Sequence, residues 1–166
     1  KAALEMQGGF FSYAFEDMSP AEVTTTVHLA AKMGVASRSF WERAALAVGD
    51  VAAALSPKQL ATACHAFGAA KWQDEGLTNA LAPVIGARAC ELRAGDIAVV
   101  VQSFARSSAR HGGALQALSQ AASVNERMTA KGFTLLAESF ATLRYSSEGF
   151  QCRVDEWAAA GGVNTC

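Results

Sequence analysis

Proline is scarce in this chain, with three residues in 166, and no apolar run approaches the ~18 to 20 residues that span a bilayer. The first shortage leaves long stretches free to be helical, and the second argues against a membrane-spanning helix. Neither sign of charge dominates: the formal net charge is −1, which does not signal a strongly basic nucleic-acid binder. No two of the cysteines Cys64, Cys90, Cys152 and Cys166 stand as C-x-x-C, so no zinc module is signalled, and small buried thiols in a reducing compartment are expected. Nucleophile elbow, phosphate loop and HExxH are all missing. Gly8-Gly9 and Gly112-Gly113 read as turn punctuation. No basic–apolar–small leader follows Lys1, so a processed or partial chain is expected.

What the chain has is alanine, the strongest helix former, within a composition that is 51% hydrophobic and 17% charged. That balance fits one soluble folded domain. It also has an internal repeat. Met18-Ser19-Pro20 recurs 37 residues on as Leu55-Ser56-Pro57; the same slot returns at Leu92-Arg93-Ala94 and at Met128-Thr129-Ala130. Four units follow, 18–54, 55–91, 92–127 and 128–161, preceded by a partial helix at 1–17 and followed by a tail at 162–166.

The agreement extends past the anchors. Five residues after them stand Val23, Leu60, Ile97 and Phe133; nine after, Val27, Cys64, Val101 and Ala137; twelve after, Ala30, Phe67, Phe104 and Phe140. These offsets share one face of a 3.6-residue helix. Offset 13 is small throughout, as Ala31, Gly68, Ala105 and Ala141, and predicts close approach of helix backbones. Ser19-Pro20 and Ser56-Pro57 place an N-cap before a proline, and Glu22 completes a capping box with Ser19. First helices are expected from about 20, 57, 94 and 130 to about 33, 70, 107 and 143. Polar turns follow, and second helices are expected to begin at Phe40, Leu77, Ala114 and Phe150, with Ala44, Leu81, Leu118 and Val154 as the next inward column. Pro83 is expected to kink the second of these helices or delay its start. The stretch 2–17, with Leu4, Phe11 and Phe15, reads as the remnant of a preceding second helix, and Gly161-Gly162 reads as a helix stop. The fold class expected is all-α, an α-solenoid in which stacked helix pairs share one core and first helices line the inner surface.

One surface stripe varies while the scaffold columns repeat. Offset 10 carries His28, His65, Gln102 and Glu138; offset 14 carries Lys32, Ala69, Arg106 and Thr142; offset 7 carries Thr25, Thr62, Val99 and Leu135. A modular reader of single-stranded RNA varies in this way, one base per unit, and so does a plain solvated helix face. The contact residues expected, for RNA or another partner, are His28, Lys32, His65, Gln102, Arg106 and Glu138. His28 and His65 share a column in adjacent units, yet no third metal ligand has suitable spacing, so neither metal nor cofactor is expected. Glu22, Asp96 and Glu138 read as capping or solvated carboxylates, and His111 as an exposed turn residue, so no enzymatic site is expected. Only the third unit is net basic, through Arg93, Arg106, Arg110 and Arg127.

The two-helix unit with its apolar–x3–apolar–x2–Phe–small run resembles the heptatricopeptide repeat, and is similar to the octotricopeptide repeat and the repeats of FAST-kinase-like proteins. Leu55-Ser56-Pro57, Leu60, Cys64 and Phe67-Gly68 carry it, then Leu92, Ile97, Val101 and Phe104-Ala105, then Met128, Phe133 and Phe140-Ala141. The first unit departs from it with Ala30 in place of phenylalanine, and the RAP domain that ends many such proteins is not in this sequence. The resemblance implies a mitochondrial protein, or a plastid one, that binds RNA or is associated with the ribosome. Alternatively it implies a protein-only scaffold or accessory subunit of a large organellar complex. Neither role involves a small-molecule substrate.

Overall fold

A computed structural model describes residues 15–159. Among these residues there are eight α-helices and no strand: α1 (Pro20–Lys32), α2 (Arg38–Val51), α3 (Pro57–Ala70), α4 (Glu75–Ala87), α5 (Ala94–Arg106), α6 (Gly112–Ser123), α7 (Ala130–Thr142) and α8 (Glu148–Ala159). Short 3-10 turns, Ala52–Ala54 and Ala89–Glu91, lead into α3 and α5. The expected helical remnant at 2–17 and the stop after Gly161 lie largely outside the described residues; Phe15 is buried, and its carbonyl accepts from Met18 N–H. No helix among the described residues is long and apolar enough to cross a membrane.

The odd-numbered helices begin where the sequence places them. Ser19 and Ser56 each cap their helix and close a reciprocal box, with Glu22 and Gln59 accepting from the cap N–H at 2.8 Å. Hydrogen bonds from Ser19 hold the Glu22 carboxyl below its ordinary pKa. Thr129 caps α7 through Gly132 N–H, while Arg93 gives α5 no side-chain cap. The even-numbered helices begin two residues before the expected points. Ser37, Asp74 and His111 accept from the N–H groups of Phe40, Leu77 and Ala114, so these first apolar residues are the third helical positions. His111 is thus a half-buried cap and not a free turn residue. Pro83 lies inside α4 and does not delay its start. Pro83 and Asn79, whose carbonyl loses its donor, are both exposed, so the carbonyl is open to solvent.

All four odd-numbered helices end in the same way. Val35, Trp72, Ala109 and Tyr145 N–H donate back to Ala30, Phe67, Phe104 and Phe140, while Gly34, Lys71, Ser108 and Arg144 N–H donate to Ala31, Gly68, Ala105 and Ala141. This is the Schellman pattern, and it needs a left-handed residue just past the helix. Gly34 supplies it at φ 66°; Lys71, Ser108 and Arg144 are held there at φ 53°, 55° and 51°. The phenylalanine column therefore also anchors the turn: Phe140 and Tyr145 rings stand 5.3 Å apart across it.

Helix α1 packs on α3, α3 on α5 and α5 on α7; α2 packs on α4, α4 on α6 and α6 on α8; α1–α2, α3–α4 and α5–α6 join the two sets. Between them lies one apolar cluster, containing Val23, Leu60, Ile97 and Phe133 with Phe40, Leu77, Ala114 and Phe150. At the last unit Ala137 and Val154, expected on the inward face, are only half-buried. The sequence reading misses a second buried row, Ala63, Val100 and Leu136 with Ala66, Ser103 and Ser139, on the faces where odd-numbered helices meet. Ser103 and Ser139 hydroxyls donate to the Val99 and Leu135 carbonyls at 2.7 and 2.6 Å, so no polar atom is stranded there. The expected close approach occurs at Gly68, where an added Cβ would lie 2.8 Å from Ser103 Cα; Ala141, by contrast, is exposed.

Candidate functional site

The varying stripe occupies equivalent turns of α1, α3, α5 and α7, so the packing of these helices places its residues in series. His28 and His65 are half-buried with ring centroids 6.2 Å apart and planes tilted by 41°. Nδ1 of His28 is buried with no hydrogen-bond partner among the described residues. An unpaired buried polar group of this kind costs about 1 to 3 kcal/mol. Burial pushes the His65 pKa below the ordinary imidazole value, and the charges of His28 and Arg106 push it the same way. His65 is therefore neutral at pH 7, with one ring nitrogen donating and the other accepting.

Further along, Gln102 and Arg106 of α5 face Glu138 and Thr142 of α7 across a shallow groove of about 260 Å³, floored in part by Leu135. The structure thus brings five of the six expected contact residues into two adjoining clusters, joined by the influence of Arg106 on His65. Lys32 stands apart: exposed in the last turn of α1, it belongs to neither cluster. Lys32, Arg106 and Glu138 have no ion-pair partner among the described residues, whereas Arg38–Glu42, Arg88–Glu91 and Arg153–Glu156 do pair. Leu135 and Ser139 join the groove without having been expected as contacts; Leu135 belongs to the offset-7 column, and Ser139 gives no signal beyond its buried row.

The remaining reactive groups sit elsewhere. Among the described residues no three His, Cys, Asp or Glu side chains come together as a metal site. Cys64 is buried, and burial pushes its thiol up to about 12. Cys90 and Cys152 are exposed, against the expectation of buried thiols: Cys90 falls in the 3-10 turn before α5, and Cys152 on the outer side of α8. The site can present imidazole, amide, guanidinium and carboxylate groups along one open face, a set suited to hydrogen bonding and stacking. No protein-family model matches the chain, and no curated protein matches it in sequence.

Proposed function

We propose that this chain is an α-solenoid of four repeats of the heptatricopeptide type, a non-enzymatic segment of an organellar protein that binds RNA through its odd-numbered helices. The observation that supports it most is the alignment of His28, His65, Gln102, Arg106 and Glu138, which differ from unit to unit, along one series of helix turns. Scaffold positions that repeat beside contact positions that vary are what a modular reader requires. In this reading Lys32 and Arg106 supply charge for phosphates, and His28, His65, Gln102 and Glu138 face bases. The protein works in the mitochondrion, with the plastid as alternative, and is associated with RNA processing or with the ribosome.

The experiment is binding of a fluorescent single-stranded oligoribonucleotide across a salt series. Two phosphate contacts, by Lys32 and Arg106, correspond to a log–log slope of about −1.4, which falls to about −0.7 in Arg106→Glu. His65→Ala changes sequence preference more than it changes the slope. No measurable binding by the full-length protein would refute the reading.

A second reading, a scaffold subunit of an organellar assembly, has an observation of its own. Leu29 and Met33 of α1 are 50% and 64% exposed beside a chain of nearly balanced charge. Loss of a protein neighbour from the assembly on Leu29→Glu, with RNA binding unchanged, favours it.

A further inference from the structure

We infer that His28 and His65, side by side on α1 and α3, with Arg106 on the adjoining α5, form a site for a phosphate-type oxyanion, so that the histidines assigned above to bases also hold the adjoining backbone phosphate. The inference deepens the RNA reading and rests on it for the identity of the ligand, though not for the chemistry of the site.

The argument begins with what surrounds the three side chains. Helix α3 contains no carboxylate. The single acid of α1 is Glu22, committed to the Ser19 cap at the start of the helix, and the single acid of α5 is Asp96, in its first turn. Of the elements packed on α3, α1 therefore presents His28 and, a turn further, Lys32; α5 presents Arg106; and α4 has its acids, Asp74 and Glu75, at its start. Glu138 lies beyond Arg106 in the neighbouring groove without pairing to it. Two imidazoles and a guanidinium thus stand on adjoining helices with no ion-paired carboxylate among the described residues, Glu138 being across the groove from Arg106.

Such an arrangement is unfavourable empty and favourable around an anion. With Nδ1 of His28 buried, Nε2 is the nitrogen through which that ring can reach a ligand. Arg106, exposed and unpaired, offers the planar fork that suits phosphate oxygens. Burial, with His28 and Arg106 beside it, holds the His65 pKa below the ordinary imidazole value. An oxyanion between these groups reverses that balance, and His65 takes up a proton as the ligand binds. Affinity then rises as pH falls, by at most about tenfold per pH unit for one proton taken up.

The test has two arms. In the first, Cε1–H resonances of His28 and His65 are followed by NMR from about pH 8 to about pH 5 in chloride and in inorganic phosphate. Phosphate is expected to shift both rings and raise the titration midpoint of His65, and R106Q, an exposed change that leaves the core alone, is expected to remove the effect. In the second, oligoribonucleotide affinity is measured over the same range for the wild type, H65Q and H28Q. Tightening on acidification in the wild type, lost in H65Q and weakened in H28Q, supports the site. If the oligonucleotide binds with no pH dependence and the variants match the wild type, the anion site is overturned and the RNA reading survives. If phosphate perturbs the rings but the oligonucleotide does not bind, the site stands and the RNA reading falls. Unchanged imidazole titration in phosphate overturns the inference outright.

Discussion

Replacing Lys71, Ser108 and Arg144 by glycine should stabilise the protein, although none of the three changes adds a contact. Each residue occupies the left-handed position that closes an odd-numbered helix, at φ 53°, 55° and 51°. For a residue with a Cβ that conformation is disfavoured by about 1 to 2 kcal/mol. Glycine removes the penalty but returns about 0.5 to 1 kcal/mol as extra freedom of the unfolded chain. The net gain is about 0.5 to 1 kcal/mol per site. The three turns share no hydrogen bond, so the gains should add to about 1.5 to 3 kcal/mol, or roughly 3 to 10 °C in Tm for a chain of this size. Gly34 provides the reverse control. An added Cβ there meets nothing within 4 Å, so Gly34→Ala should cost about 1 kcal/mol through the backbone alone. Urea melts followed by circular dichroism measure all of these. A triple variant no more stable than the wild type, beside a harmless Gly34→Ala, would falsify the claim that these turns are under conformational strain.

Four further outcomes are expected. Phe104 is 5% exposed and anchors both the core and its helix-ending turn, so Phe104→Ala should cost about 3 to 5 kcal/mol in chemical denaturation; a loss under about 1 kcal/mol contradicts its placement. The folded-state pKa of His65 lies below its unfolded value, so its contribution to stability is complete above about pH 6.5 and is lost as pH falls through the folded value; thermal melts of His65→Gln should show a shallower acid decline than wild type, and parallel curves count against it. His111→Asp puts a better cap and a favourable charge at the start of α6, which should raise stability by about 0.5 to 1 kcal/mol, and a drop in Tm contradicts the capping role. Iodoacetamide under native conditions should label Cys90 and Cys152 but spare Cys64, and mass spectrometry showing rapid Cys64 labelling refutes its burial.

The starts of the odd-numbered helices were legible because Ser-Pro announces a cap and a first helical residue together. The starts of the even-numbered helices were misplaced by two residues, since apolar patterning marks the third helical position while the cap lies three residues earlier. Serine, aspartate and histidine share that role without resembling one another in a sequence comparison. The common left-handed turn was hidden for the same reason, because only Gly34 reveals it by residue type. Small side chains concealed the contact row of Ala66, Ser103 and Ser139, which close approach of helices favours and a search for large apolar residues passes over. At the candidate site, a common offset foretold the nearness of His28 to His65. The influence of Arg106 on His65 was not foreseeable, because it crosses diagonally between different offsets and depends on how α5 lies against α3.

The principal helix contacts all join elements no more than one unit apart along the chain. No part of the core has to wait for the far terminus, so loop closure is inexpensive and folding should be fast for the chain's length. A nascent chain can consolidate its first helices on one another while later ones are still being synthesised. The same locality governs failure under load. Pulled from its ends, such a chain has no principal helix contact between distant helices among the described residues to hold it shut, and it should give way by successive small extensions at low force and rewind on release.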